Sequence, residues 1–572
     1  MTDFRIEHLP FDKGAVKVWS EADPLHANWP VVYTIENERL IYIGETTNAG
    51  VRMQQHLESS AKQGLKHVRV IVNDEFNKSV CLDLESHLIR YLAADEKYEV
   101  INGNHGITDA NYFERDRYRK DFDGIFDQLF KEGVLTRSIP DIVNSNLFKY
   151  SPYKALNSDQ AVAVEAILEK LFDSWSTPAA APMVVQGDPG TGKTIVAIYL
   201  VKLLIDIAKS NPEDALESDS LFADFFQPGY REMLGQPRVG LVIPQQSLRK
   251  TVQKVFARTP GLDKNMVISP FDLHTRNEFD LLIVDEAHRL GQRANQPSAA
   301  QNKKFTENNL AMFGDDESSW TQLDWVAAAS RHQLLLIDTA QSIRPGDLPI
   351  EKLEDLLTES RAQNIHFRLA SQMRVTGGND YIDFVRKLIN LEPVDALDFG
   401  DYDFRIFESF AEMREAILEK DAAVGLSRLV AGYAWPWASR NDKTATDIEI
   451  EGVELQWNQT PVDWINSPNS VNEVGSIHTV QGYDLNYAGV VIGPDLGFDA
   501  SSGRLVFNRD SYFDTKGKEN NPRLGLTYSD DDLLEYVKNI YRVLLTRGIR
   551  GTYVYVWNPT LRQRIFNLSR PS

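Results

Sequence analysis

The spacing of apolar residues changes along the chain at Pro182. Before that point, residues 31–35 and 40–43 are short runs rich in β-branched and aromatic residues, and a polar tetrapeptide separates them. Such a pair predicts a hairpin. Residues 51–57 and 80–93 instead carry apolar residues at helical spacing. The pattern therefore predicts a small N-terminal domain that combines strands with helices.

After Pro182 the apolar runs become continuous and end in polar groups. Continuous runs are typical of strands that are buried on both faces, as in a parallel α/β sheet. A first set covers residues 183–187, 239–244, 280–286 and 333–338. A second set covers residues 365–370, 423–431, 488–493 and 551–556. The two sets predict two α/β lobes.

These changes predict four segments, which agrees with the three or four domains expected for 572 residues. Residues 1–110 form the small domain, and residues 111–150 form a charged linker or helical connector. Residues 151–345 form the first lobe, and residues 346–572 form the second.

Composition narrows the class of protein. The single cysteine, Cys81, excludes a disulfide framework and a zinc site built from cysteines, and a reducing cytoplasm is the expected compartment. No signal peptide and no membrane-spanning segment are expected. The net charge of −21 argues against a general polyanion binder. It does not exclude a nucleic-acid enzyme, because the field of one cleft matters more than the total charge.

Residues 187–194, GDPGTGKT, form a phosphate-binding loop between a predicted strand and a predicted helix. Glycines at such positions, here Gly187, Gly190 and Gly192, let backbone N–H groups surround phosphate oxygens. Lys193 supplies positive charge to the terminal phosphates, and the Thr194 hydroxyl is a ligand for Mg²⁺. ATP and Mg²⁺ are the expected cofactors.

Residues 285–288, DEAH, end a buried strand about 90 residues after this loop. At that position Asp285 is expected to hold Mg²⁺ through water. Glu286 is expected to orient or polarise the attacking water.

These two motifs and several later ones occur in the order found in superfamily 1 helicases. The sequence therefore resembles those helicases and, more narrowly, the Schlafen-type helicase-like domain. The resemblance covers about residues 150–560 and implies two RecA-like lobes with ATP between them. One departure is Asp484, where the related motif often has glutamate. The resemblance also assigns roles to further residues. It implies that Gln160 reads adenine, that Gln341 senses the γ-phosphate, that Arg374 and Arg547 are arginine fingers, and that Gln481 and Gly482 belong to the fifth motif.

A second constellation lies in the N-terminal domain. A phosphodiester-cleaving site needs a carboxylate for a metal, a cation for the phosphate and a group that activates water. All three kinds occur among Tyr33, Tyr42, Arg52, His56, Glu85 and Asn102. Arg52 and His56 are four residues apart and therefore share one face of a helix.

With Tyr42-Ile43-Gly44, this set resembles the GIY-YIG nuclease family over about residues 29–106, although the first motif reads Val32-Tyr33-Thr34. The resemblance implies a small antiparallel sheet with Glu85 binding Mg²⁺ or Mn²⁺. It implies that Arg52 stabilises the scissile phosphate. Either Tyr33 or Tyr42, helped by His56, would activate or position water, and Asn102 would brace the site.

The sequence thus predicts an α/β protein in which an ATP-driven DNA translocase is joined to a metal-dependent nuclease. By analogy, foreign-DNA defence or DNA repair is the expected setting. Two alternatives remain open: a translocase whose N-terminal domain only binds nucleic acid, and a regulatory nucleotide switch. RNA remains open as a substrate, and no membrane partner is expected.

Overall fold

A computed structural model describes most of the chain. The described residues are 4–59, 62–102, 111–154, 156–177, 181–210, 222–276, 278–294, 296, 298–394, 399–460, 464–480 and 483–569.

The chain divides into two compact units. Unit 1 comprises residues 1–165, 198–236 and 252–266, and unit 2 comprises residues 166–197, 237–251 and 267–572. Among the described residues, no helix combines the length and the apolar character that crossing a membrane would require.

Unit 1 contains a five-stranded sheet in the order β1-β4-β2-β3-β5. The strands are β1 Phe4–Pro10, β2 Val31–Glu36, β3 Leu40–Thr46, β4 His67–Asn73 and β5 Glu99–Val100. The helices in this part of the chain are α1 Lys13–Ala22, α2 Ala49–Glu58, α3 Lys78–Asp95, α4 Arg115–Lys131, α5 Ile139–Asn144 and α6 Asn146–Lys149. β2 and β3 form the predicted hairpin and pair antiparallel. β5, however, runs parallel to β3, so the sheet is mixed.

Both faces of β2 are buried, since its side chains alternate between two cores. Val31, Tyr33 and Ile35 pack with residues of α1 and α2. Val32 packs with residues of α3 and α4 on the opposite face. The two faces of this strand therefore meet different helices.

Residues 111–150 do more than connect domains. Helix α4 buries Tyr118, Phe122, Ile125, Phe126 and Leu129. These side chains belong to the same core as α3 and the sheet. The charged residues between them gave the segment the composition of a linker, but its apolar residues lie on one helical face and are part of the unit 1 core.

The next part of the chain supplies a six-stranded parallel sheet in the order β11-β6-β10-β9-β7-β8, all of it in unit 2. The strands are β6 Met183–Gly187, β7 Val239–Val242, β8 Val267–Ile268, β9 Phe279–Val284, β10 Ser330–Ile337 and β11 His366–Leu369. The helices of this region are α7 Ser158–Ser174, α8 Lys193–Lys209, α9 Pro228–Leu234, α10 Gln246–Arg258, α11 Ala299–Phe313, α12 Gln322–Ala329 and α13 Ile350–Ala362. Helix α9 belongs to unit 1, and α7, α8 and α10 each have residues in both units.

The first sheet extends beyond residue 345, which the sequence had suggested as the end of the first lobe. β11 was expected to belong to the second lobe, and that assignment was wrong, because β11 pairs in parallel with β6 from His366 to Leu369. A short apolar run does not specify which strand it pairs with, so the sequence pattern could not decide this point.

A seven-stranded sheet follows in unit 2, in the order β12-β20-β17-β13-β16-β15-β14. Its strands are β12 Asp403–Phe407, β13 Ser427–Ala431, β14 Ile448–Ile450, β15 Val453–Trp457, β16 Glu473–Ser476, β17 Leu485–Ile492 and β20 Gly548–Val556. Strands β18 Leu496–Asp499 and β19 Arg504–Phe507 form a separate antiparallel hairpin. The helices are α14 Gly378–Ile389, α15 Phe410–Val424, α16 Ile477–Val480, α17 Asp530–Leu545 and α18 Pro559–Ser569. All pairings in this sheet are parallel except that of β14 with β15. The predicted α/β class with two largely parallel sheets is therefore confirmed.

Candidate functional site

The glycine-rich loop lies between β6 and α8. Gly190 and Gly192 have φ values of 87° and 79°, a region that glycine adopts without strain. A Cβ atom at Gly190 would also lie 2.0 Å from Oε1 of Gln372. Glycine is thus required both for the curvature of the loop and for the close approach of a neighbouring segment.

Lys193 lies at the start of α8 and its side chain is buried. Its ammonium donates to the carbonyl oxygens of Gly187 at 2.6 Å and of Asp188 at 3.0 Å. Oδ2 of Asp338 lies 3.4 Å from the same nitrogen. The positive charge is therefore held at the loop that would receive phosphate groups.

Thr194 and Asp285 come together although 91 residues separate them. The Thr194 hydroxyl donates to Oδ2 of Asp285 at 2.7 Å. Burial and the neighbouring charge of Glu286 raise the pKa of Asp285 above its usual value, although the Thr194 hydrogen bond and Lys193 oppose the shift. A buried carboxylate next to a hydroxyl offers the hard oxygen ligands that Mg²⁺ prefers, so these two residues fit a divalent-cation site.

Glu286 adopts a φ of 52°, in the left-handed region, two residues after the end of β9 at Val284. Nε2 of His288 lies 3.0 Å from its Oε2, and Nδ1 of His288 accepts a hydrogen bond from the backbone N–H of Asp338 at 3.2 Å. Because Nδ1 accepts, the proton of a neutral ring is on Nε2, the nitrogen that lies next to Glu286. Burial alone would raise the pKa of Glu286, but His288 and the charges of Lys193 and Arg289 hold it below its usual value. Glu286 is therefore an ionised carboxylate with a fixed orientation.

Gln341 lies in the same network. Its side-chain amide donates to Oδ2 of Asp338 at 2.6 Å, and Asp338 also contacts Lys193. Asp338 therefore connects Gln341, the glutamine predicted to sense the terminal phosphate, to Lys193 of the loop.

Residues 372–374 lie directly against the loop. The side-chain amide of Gln372 donates to the carbonyl of Pro189 at 2.6 Å, and the backbone N–H of Met373 donates to that of Gly190 at 2.9 Å. These bonds hold Arg374 beside the loop, where its guanidinium forms an ion pair with Asp484.

Arg547 is fully buried, and its Nη1 donates to the carbonyl of Tyr483 at 3.3 Å. Tyr483 directly precedes Asp484, the partner of Arg374. The two predicted arginine fingers are therefore held by two consecutive residues, Tyr483 and Asp484.

Three further residues are predicted to bind nucleotide. Gln160 lies in unit 1, where its side chain and that of Asn157 each accept from the other residue's backbone N–H, at 3.2 Å and 2.8 Å. Its role with adenine stays a prediction. Gln481 and Gly482 lie outside the described residues.

Residues 180–558 match the family described as Schlafen group 3, DNA/RNA helicase domain. The match covers more than half of the chain. The chain belongs to this family. The resemblance to the Schlafen-type helicase-like domain is thereby confirmed.

One curated relative is similar in sequence over 70% of this chain. The uncharacterized protein YPL245W of Saccharomyces cerevisiae is 28% identical over 433 residues, which cover 70% of this chain and 87% of the relative.

Two solved structures show a weak similarity. One is the DUF1998 helicase MrfA bound to DNA and AMPPNP, with 9% identity, a TM-score of 0.28, and coverage of 75% of this chain and 53% of that one. The chain therefore spans about half the length of the MrfA chain. The other is the Pif1 helicase from Bacteroides in complex with ADP-AlF3 and ssDNA, with 10% identity, a TM-score of 0.24, and coverage of 68% and 91%.

The N-terminal candidate site is built on the β2–β3 hairpin in unit 1. Tyr33 and Gly44 are directly opposite each other in the antiparallel register. The Tyr33 hydroxyl lies over Gly44, where an added Cβ atom would approach it to 2.3 Å. Only glycine at position 44 leaves the tyrosine hydroxyl in this place.

Replacing Gly44 with alanine should therefore displace the Tyr33 side chain and destabilise unit 1 by about 1–3 kcal/mol, the usual cost of overpacking. Thermal melting of the full chain would measure the change. Gly229→Ala is the matched control, since no atom lies within 4 Å of a Cβ at that position. Equal melting temperatures for the two variants would contradict the prediction.

His56 and Arg52 of α2 both reach Tyr33. Nε2 of His56 lies 2.6 Å from the Tyr33 hydroxyl oxygen. Burial and the neighbouring Tyr42 raise the pKa of Tyr33 well above its usual value, whereas a hydrogen bond from Arg52 opposes the shift. Tyr33 is fully buried and Tyr42 is partly exposed.

Glu85 lies on α3, near a second glutamate that the sequence motifs did not identify. Burial and the charge of Glu45 raise the pKa of Glu85 to about 8, while Lys78 and Arg52 oppose the shift. Lys78 also donates to Oε1 of Glu45 at 2.5 Å. Because the Arg52 charge acts on both Tyr33 and Glu85, this arginine links the two halves of the site.

Asn102 supports the strand rather than the site directly. Its side-chain amide donates to the carbonyl of Ile43 at 2.7 Å, and its Oδ1 accepts from the N–H of Ile43 at 3.1 Å. Ile43 lies between Tyr42 and Gly44, so Asn102 holds the backbone from which Tyr42 projects.

The sequence motifs missed Glu45, Lys78 and Lys62. Two of them left a signal: Glu45 directly follows Gly44, and Lys78 precedes Glu85 by seven residues, which is two helical turns. Lys62 lies four residues beyond the end of α2 and has no such signal.

Proposed function

We propose that this chain is an ATP-driven motor that moves on DNA and supplies it to a metal-dependent nuclease in its N-terminal part. The observation that supports the motor best is the group formed by Lys193, Thr194, Asp285 and Glu286, with Arg374 held against the same loop. This group contains a cation for phosphate, oxygen ligands for a metal and an oriented carboxylate.

The roles follow from the positions of these groups. Lys193 and the loop N–H groups would bind the phosphates of ATP, and Thr194, together with Asp285 acting through water, would hold Mg²⁺. When bound, Mg²⁺ would neutralise charge that develops on the phosphate oxygens. Glu286 orients the attacking water, and His288 keeps the carboxylate ionised and fixed. Arg374 adds positive charge at the terminal phosphate.

Arg374 and Arg547 couple the nucleotide to the second parallel sheet. Arg374 contacts Asp484, and Arg547 contacts the carbonyl of Tyr483. A change at the terminal phosphate that moves Arg374 would therefore act on residues 483–484, which directly precede β17. Such coupling is how ATP hydrolysis becomes a movement along a strand.

The nuclease proposal rests on the approach of Tyr33, Arg52, His56 and Glu85 to one another. Glu85 would bind Mg²⁺ or Mn²⁺, Arg52 would stabilise the scissile phosphate, and Tyr33 or Tyr42 would activate or position water. The neighbouring carboxylate of Glu45, which Lys78 contacts, offers further oxygen ligands of the kind that such cations prefer. A motor joined to a nuclease suits the destruction of foreign DNA or DNA repair.

The experiment that tests both parts uses the wild-type chain and Lys193→Ala. ATP hydrolysis is measured with and without single-stranded DNA or RNA. Cleavage of single-stranded, duplex and forked DNA is measured with Mg²⁺ or Mn²⁺. DNA-stimulated hydrolysis that Lys193→Ala abolishes, together with metal-dependent cleavage, is the expected result.

Other results would identify the alternatives. Hydrolysis that does not respond to any nucleic acid would replace the motor with a nucleotide switch. DNA-stimulated hydrolysis without cleavage would leave a translocase whose N-terminal part only binds DNA.

A further inference from the structure

Lys62 lies where it contacts two residues of the candidate nuclease site. Its Nζ is 2.5 Å from Nδ1 of His56. The same nitrogen lies 3.8 Å from the centre of the Tyr42 ring, a cation–π distance. One ammonium group therefore joins a helix residue, His56, to a strand residue, Tyr42.

The contacts determine which nitrogen of His56 carries a proton. An ammonium group has three N–H donors and no acceptor, so Nδ1 of His56 must accept from Lys62. Burial, Lys62 and Arg52 lower the pKa of His56 to about 2, so the ring is neutral and has one proton. That proton is on Nε2, which is 2.6 Å from the Tyr33 hydroxyl oxygen. His56 therefore donates to Tyr33.

The hydrogen bond from His56 to Tyr33 limits what His56 can do to the tyrosine hydroxyl. A histidine that already has its proton on Nε2 cannot remove the proton of the tyrosine hydroxyl. The oxygen of Tyr33 instead accepts from His56, and it also interacts with Arg52 through a hydrogen bond. The hydroxyl hydrogen is then directed away from His56.

We propose that Lys62 is a positioning residue of the nuclease site, which fixes the Nε2–H form of His56 and thereby orients the Tyr33 hydroxyl. The inference rests on the proposed nuclease function and assigns a role to a residue outside its sequence motifs. Lys62 acts through His56 and does not itself contact the bond to be cleaved.

The test compares Lys62→Met, which removes the donor but keeps an unbranched side chain, with Lys62→Arg, which keeps a donor. The first readout is ¹⁵N NMR of the full chain labelled at its 11 histidines, with the His56 signals assigned from a His56→Gln variant. Wild type and Lys62→Arg should show the Nε2–H form of His56. Lys62→Met should shift the population towards the Nδ1–H form.

The second readout is the single-turnover rate of DNA cleavage. Lys62→Met should cleave about 10-fold more slowly, the lower end for loss of a group that orients a site residue, with unchanged half-saturation by DNA. Lys62→Arg should retain most of the rate. Lys66→Met is the matched control, because Lys66 is an exposed lysine four residues further on.

The outcomes separate this inference from the proposed function. An Nδ1–H form in wild type, or a His56 signal that does not change in Lys62→Met, would overturn the role of Lys62 whether or not the chain cleaves DNA. Absence of cleavage by wild type would instead remove the proposed nuclease, and the NMR result would still decide whether Lys62 fixes the ring.

Discussion

Replacing Glu286 with glutamine should slow ATP hydrolysis by about 10²- to 10⁴-fold while ATP binding is retained, the range expected when a positioned acid–base group is lost. Glutamine keeps the size of the side chain but lacks the negative charge that orients water. Lys193, Thr194 and the glycine loop, which would bind the phosphates, are unchanged. Phosphate release and binding of a fluorescent ATP analogue would measure the two properties separately.

Glu278→Gln is the matched control for this variant, because Glu278 is an exposed glutamate in the same unit. It should hydrolyse ATP at the wild-type rate. Full hydrolysis by Glu286→Gln would show that another group orients the water. Loss of ATP binding would show that Glu286 supports the loop rather than the reaction.

Replacing Glu85 with glutamine should reduce metal-dependent DNA cleavage by about 10³-fold, since a catalytic metal supplies several kcal/mol of transition-state stabilisation. The amide keeps nearly the same volume, but it is a much weaker ligand for a divalent cation. DNA-stimulated ATP hydrolysis should remain at the wild-type level. A cleavage assay with Mg²⁺ or Mn²⁺, run in parallel with an ATPase assay, would test both statements.

Glu38→Gln removes the same charge from an exposed turn between β2 and β3 and should leave cleavage intact. Cleavage by Glu85→Gln at the control rate would mean that Glu85 is not the metal ligand. Loss of ATP hydrolysis together with cleavage would point to a general defect in the chain.

Features that depend on adjacent residues were accessible from the sequence. The order strand, glycine loop, helix predicted that Lys193 lies at the start of α8, and the apolar run before Asp285 predicted that this residue ends a strand. These are local patterns with a direct physical cause, and the structure contains both elements where they were expected.

Contacts between distant segments were not accessible. The partners of Lys62 and Glu45 depend on how α2, β3 and α3 fold together, and a single lysine or glutamate in a sequence gives no sign of its partner. The burial of one face of α4 could have been read from the spacing of its apolar residues. Its high content of charged residues favoured the interpretation as a connector instead.

The two hydrogen bonds between Asn102 and Ile43 also affect how the hairpin can associate with other molecules. β5 pairs with β3 only as far as Ile41 and Val100, which would leave the next backbone groups of β3 available to a strand from another chain. The carboxamide of Asn102 acts as a substitute peptide group and occupies the N–H and C=O of Ile43. Pairing of a strand from another chain with Ile43 is thereby disfavoured.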